Sequence, residues 1–245
     1  MSKQTAAFVM LVLAAAIGGC KREEPVGGGG EGSAPSVPTI QTKERQAALT
    51  PAEALSILRE GNGRFVAGQS KLRNLPAKVV ATASGQYPFA VILSCLDSRQ
   101  SVELLFDQGI GDVFNARVAG NVLNDDILGS LEFACKVSGA KLILVLGHSN
   151  CGAVKGAIDG VQLGHLTGLL DKIKPAIDAV PGGAPGRDSK NLDFVQKVAD
   201  SNVHLVMKQI REGSPILREM LDQKAIGLSG GMYDLATGQV QFFSE

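Results

Sequence analysis

Cys95-Leu96-Asp97-Ser98-Arg99 follows the apolar run Phe89 to Ser94, and His148-Ser149-Asn150-Cys151 follows another, Lys141 to Leu146. Two thiols and one imidazole, each delivered at the exit of a strand-like run, form a ligand set suited to a borderline-soft ion such as zinc. Structural zinc uses four protein ligands, whereas three leave a position free for water or substrate. Cys151 lies three residues after His148, so both side chains can turn toward one point at the start of a helix. The competing reading is a Cys95–Cys151 disulfide, which leaves Asp97, Arg99 and His148 unexplained. Asp97 and Arg99 taken alone also read as a structural ion pair.

These residues need a scaffold that brings two strand ends together. Phe89 to Ser94, Asp112 to Val118 and Lys141 to Leu146 are near-continuous apolar runs, the pattern of strands buried on both faces of a parallel sheet. Thr50-Pro51-Ala52-Glu53 opens a helix with a capping box, over about residues 51–60, with Gly61 and Gly63 breaking it before a possible resumption to 67. Helical periodicity continues over Asp126 to Ser138, Gln162 to Asp178 and Ser189 to Arg211, and Ser214-Pro215 caps a further helix ending near Gln223. Asp234 to Gly238 is a turn between two strands of a closing hairpin. The fold class is therefore α/β, with a mainly parallel central sheet flanked by helices and a C-terminal hairpin. In such sheets ligands bind outside the carboxyl ends of the strands, where Cys95 and His148 fall.

With these motifs the domain resembles the β-class carbonic anhydrases. The resemblance runs from about Ala48 onward and includes Leu58 to Phe65, Leu105 to Phe114 and Arg117 to Asn121 beside the two motifs above. It implies that Cys95, His148 and Cys151 bind one zinc ion per chain and that Asp97 and Arg99 form the family's catalytic dyad. Asp97 would accept a hydrogen bond from the reacting oxygen, and Arg99 would keep its carboxylate off the metal. Two thiolates leave metal plus protein ligands with no net formal charge, so water there should ionise at a higher pH than at a three-histidine site. Gly152 would offer its backbone N–H to a substrate oxygen at a helix N-terminus. Gln86 matches a glutamine that reaches substrate from a neighbouring subunit, although alone it is a polar residue before a strand. A homodimer or larger assembly follows. The implied reaction is reversible hydration of carbon dioxide to bicarbonate and a proton. Hydrolysis of carbonyl sulfide or carbon disulfide on the same fold, and a non-catalytic zinc or bicarbonate sensor, are the competing functions. Some members anchor an inhibitory bicarbonate with a tryptophan where this chain has Ile92, and the chain has no tryptophan, so that regulation is not expected.

The remaining residues set the context. Lys3 and the apolar run Ala6 to Ile17 read as a signal segment over 1–19, too short to span a bilayer comfortably. Ile17-Gly18-Gly19-Cys20 resembles a lipoprotein cleavage site that would lipidate Cys20; an ordinary signal peptide with an incidental cysteine is the alternative. Residues 20–48 read as a flexible Gly/Pro-rich tether and 49–245 as the zinc-dependent domain. The expected place is the bacterial periplasm or cell envelope, with Lys21 favouring the outer membrane over the inner. Twenty-four basic and 24 acidic residues balance without a basic block, so nucleic acid is not an expected partner. Cys135 groups with Leu131 and Ala134 as a buried inert thiol. His165 and His204 lie in helices away from the motifs, where surface or satisfied-core roles fit better than proton shuttling.

Overall fold

Thr50 caps the first long helix as its sequence predicts. Its side chain accepts from the Glu53 amide, the Glu53 carboxylate accepts in return from the Thr50 N–H, and Pro51 occupies the first turn. The computed structural model describes residues 41–182 and 186–243. The expected signal segment, Cys20 and most of the tether lie outside the described residues.

Five strands form one sheet in the order β2-β1-β3-β4-β5, with β1 Ala90–Ser94, β2 Val113–Arg117, β3 Leu142–His148, β4 Gly227–Tyr233 and β5 Val240–Phe242. β5 alone runs antiparallel, closing the expected hairpin on β4. From β1 the chain passes to β2 on one side and later returns to β3 on the other. The switch point thus falls between β1 and β3, where ligands of open α/β sheets sit.

Helices cover both faces. On one lie α2 Pro51–Val66 and α4 Val102–Leu105, with α1 Lys43–Ala48 before α2 and α3 Leu75–Thr82 between the two in the chain. On the other lie α5 Asp125–Glu132, α6 Gly152–Ile158, α7 Gly164–Asp171, α8 Lys174–Ala179, α9 Leu192–Gly213 and α10 Pro215–Asp222. Strand alternation divides the core accordingly. Ile92, Leu144 and Leu146 pack with Ala54 and Leu58 of α2, while Val91, Leu93, Ile143 and Val145 pack with Val198 and Val203 of α9.

Several expectations are corrected. The tether does not run to residue 48: α1 begins at Lys43, capped by Thr42. Buried Gln46 pins it by donating to the carbonyls of Pro88 and Ser138, both at 2.7 Å, a tertiary bond that composition does not reveal. α2 runs unbroken through Gly61 and Gly63 to Val66. A Cβ on Gly61 would lie 1.8 Å from the Phe106 carbonyl oxygen, so this glycine marks a close approach rather than a helix end. α3 was not expected, because Leu75, Val79 and Val80 are exposed and make no core-facing stripe. It is fixed instead by the buried Lys78 ammonium on the Asp112 carboxylate at 2.5 and 2.6 Å.

The expected helix over 126–138 is α5 followed by a π-helical turn, Phe133–Val137. That over 162–178 is two helices, because Pro175 opens a new one in the first turn of α8. The helix placed at 189–211 starts at Leu192, where Asn191 caps it. β1 and β3 are buried throughout, but β2 is not buried on both faces. It is the sheet's edge, and its residues are half-buried or exposed.

Candidate metal centre

The crevice between the ends of β1 and β3 gathers the three expected donors. Cys95 follows Ser94, the last residue of β1, and His148 is the last residue of β3. Parallel pairing aligns Ser94 with Leu146, which brings the two exits side by side. The chain then reverses through Asn150, whose φ of 60° is left-handed, a conformation asparagine tolerates better than most residues. The Ser149 N–H donates to the Tyr233 carbonyl at 2.8 Å and its hydroxyl accepts from the Leu235 amide at 3.0 Å, which ties this turn to the end of β4. Cys151 follows as the N-cap residue of α6.

One donor atom each from Cys95, His148 and Cys151 lies within 4.8 Å of the others, and all three residues are buried. His148 Nδ1 is 3.0 Å from the Ser149 carbonyl. That oxygen can only accept, so the hydrogen resides on Nδ1 and the Nε2 lone pair is free. Nε2 is buried without a hydrogen-bond partner. A desolvated lone pair facing two sulfurs fits a cation, and the donor types fit zinc.

The two thiols differ. A hydrogen bond from Cys151 chiefly holds the Cys95 thiol down, against the penalty of burial and with help from the Gly120 and Asp97 amides. Cys151 is pushed up, first by the adjacent Cys95 sulfur and then by burial, although the Val154 and Ala153 amides favour its thiolate. A divalent cation between the sulfurs favours both thiolates.

Asp97 borders this group, with Oδ2 4.0 Å from His148 Nε2. Both its oxygens are held by Arg99: Nε donates to Oδ1 at 2.9 Å, Nη2 to Oδ2 at 2.7 Å, and the Arg99 amide to Oδ1 at 3.0 Å. That side-chain pairing keeps the carboxyl well below the usual carboxylate range, although burial opposes it. The carboxylate is thus an acceptor fixed in direction.

Gly152 is the first residue of α6, with open space around its Cα. Gln86 is not brought to the crevice within one chain. It is exposed in the loop before β1, at the opposite end of a strand roughly 16 Å long. Cys135 is buried, and desolvation pushes its thiol up to about 12, as an inert core residue requires. His165 and His204 are exposed, and His204 stacks on Phe243 with ring centroids 4.6 Å apart.

Two supports were not singled out from sequence. Arg117, ending β2, donates from Nε to the Cys95 carbonyl at 3.0 Å and from Nη2 to the Asp97 carbonyl at 2.6 Å, so it fixes the loop carrying both side chains. Its signal was an arginine closing an apolar strand. Gly120 donates its N–H to Cys95 Sγ at 3.3 Å, and only its place in the Arg117–Asn121 segment marked it.

A family model described as carbonic anhydrase matches residues 90–240, which include every donor above. The chain belongs to the carbonic anhydrase family. It is 36% identical over 198 residues to carbonic anhydrase 2 of Mycobacterium tuberculosis, covering 77% of this chain and 91% of that protein. It is 34% identical over 201 residues to the carbonic anhydrase of Mycolicibacterium smegmatis, covering 79% and 94%. Among solved structures, a tetrameric β-carbonic anhydrase of Sordaria macrospora superposes with a TM-score of 0.60 at 24% identity, over 79% of this chain and 96% of that one. A Coccomyxa β-carbonic anhydrase in complex with acetazolamide gives 0.61 at 24% identity, over 79% and 86%. The class is β, and its cofactor is zinc.

The proximity of the two sulfurs in this carbonic anhydrase has a redox consequence. Treating the zinc-free full chain with a disulfide oxidant should join Cys95 to Cys151, whereas zinc should protect both. Peptide mapping after thiol alkylation reads the outcome; both sulfurs still alkylated in the oxidised zinc-free chain would show that they cannot close.

Proposed function

We propose that this chain interconverts carbon dioxide and bicarbonate at a zinc ion held by Cys95 Sγ, His148 Nε2 and Cys151 Sγ. The observation that carries the reading is the buried, unpartnered Nε2 beside two sulfurs, with an Arg99-bound carboxylate at its edge. A zinc ion bound there would supply Lewis acidity that makes water a nucleophile, at a higher pH than a three-histidine site would.

The protein's own groups do the rest. Asp97, kept ionised by Arg99, accepts a hydrogen bond from the attacking oxygen and turns its lone pair toward the carbon of carbon dioxide. Arg99 also prevents the carboxylate from closing the fourth position, since leaving would break two charge-assisted bonds at once. The Gly152 N–H, at the positive end of α6, would donate to the oxygen on which negative charge develops. The proton released leaves to buffer.

A homo-oligomer completes the site in this reading. Gln86 would act on a neighbouring copy's substrate, and the exposed Leu72, Leu75, Val79 and Val80 on and before α3 supply apolar surface for that contact. We further place the protein in the bacterial cell envelope, lipid-anchored through Cys20. Among the described residues no helix is long and apolar enough to cross a membrane. Radiolabelled palmitate should enter the full chain and not a Cys20→Ala variant; equal labelling, or none in either, contradicts the anchor. Sedimentation should give a mass of at least two chains, and a monomer at micromolar concentration removes the shared-site reading.

Stopped-flow hydration of carbon dioxide by the zinc-loaded full chain tests the activity itself. We expect turnover between pH 6 and 9, and none there with one zinc bound per chain contradicts the enzyme. Asp97→Asn should keep its zinc and lose about 10²-fold or more of kcat; native turnover in that variant would remove Asp97 from the mechanism.

A further inference from the structure

α9 presents Val195, Val198, Ala199, Val203, Val206 and Ile210 to the core as an apolar stripe. Asn202 interrupts that stripe and is 1% exposed. A helix that had only to pack would carry an aliphatic side chain there, because a buried amide is costly unless its groups are bonded. Asn202 is bonded at one end only. Nδ2 donates to the Gly120 carbonyl at 2.9 Å, while Oδ1 is buried with no hydrogen-bond partner.

The turn that receives this bond is itself tightly constrained. Gly120 has φ 67° and Asn121 φ 44°, two successive left-handed residues, the second of them not glycine. A Cβ on Gly120 would lie 2.8 Å from Ile173 Cδ1, so the core closes over this turn. Such conformations persist where surrounding structure holds them. Gly120 in turn donates its N–H to Cys95 Sγ at 3.3 Å. A single residue therefore links the α9 amide to the sulfur.

We propose that Asn202 is a positioning residue for the metal centre: by holding the Gly120 carbonyl it keeps the Gly120 N–H on Cys95 Sγ, and so sets how strongly that sulfur donates to zinc. The inference rests on Cys95 being a zinc ligand. An N–H bond to a thiolate draws electron density from sulfur and orients its lone pairs, which is how outer hydrogen-bond partners tune metal ligands. It also explains why a half-satisfied amide occupies a position where packing alone favours an aliphatic side chain.

Asn202→Leu in the full chain removes the amide and keeps an apolar side chain of similar size. Asn202→Ala serves as a second variant should leucine disturb α9. Three quantities are read for each: the unfolding midpoint of the zinc-free chain, zinc affinity by chelator competition, and the sulfur-to-metal charge-transfer band after cobalt(II) replaces zinc. The leucine variant should unfold no earlier than the native chain, yet bind zinc about tenfold or more weakly and show a displaced band. Native affinity and an unmoved band in both variants would overturn the positioning role. A native cobalt protein with no sulfur charge-transfer band would instead overturn the ligand assignment beneath it.

Discussion

Three metal-ligating atoms buried within 4.8 Å of one another, one a lone pair with no hydrogen-bond partner, constrain everything around them. In a dry crevice an unpaired imidazole nitrogen and two adjacent thiols, of which burial disfavours the ionised forms, are costly neighbours. A divalent cation resolves the conflict, because it binds the lone pair and favours thiolate at both sulfurs. The parallel sheet makes the arrangement attainable. β1 and β3 are adjacent and run the same way, so Cys95 and His148 emerge at one edge, and a left-handed Asn150 turns Cys151 back toward them.

The carboxylate at the rim adds function to that constraint. Asp97 is close enough to approach the donors, and an unrestrained carboxylate beside a cation would bind it. Arg99 engages both oxygens, while Arg117 fixes the backbone on which Asp97 and Cys95 ride. Arg99 is largely exposed, so water screens the pair and its worth lies in direction rather than in stability. Burying the ligands while leaving Arg99 in water suits the proposed reaction, in which a small substrate enters and a charged product leaves.

Much of this was legible in the sequence. Ligand chemistry and strand exits are local signals, so Cys95, His148 and Cys151 could be placed in one crevice before any coordinates. The capping box of α2 and the β4–β5 turn are equally local. What escaped was tertiary. Gln46 turns part of an apparent tether into α1 through bonds to distant carbonyls. α3 depends on a buried Lys78–Asp112 pair rather than on an apolar stripe. β2 reads like its buried neighbours because apolar composition does not say which strand is the edge. Gln86 could be marked by resemblance, yet one chain leaves it at the far end of β1. Asn202, a single amide in an apolar helix face, carried no signal until its bond to Gly120 was seen.

The most direct test of the account is X-ray absorption at the zinc edge of the full chain. Two thiolates, one imidazole and one open position predict two sulfur scatterers at about 2.3 Å and two lighter ones at about 2.0 Å. Three or four sulfurs, or light scatterers alone, would contradict the centre from which the proposed chemistry is derived.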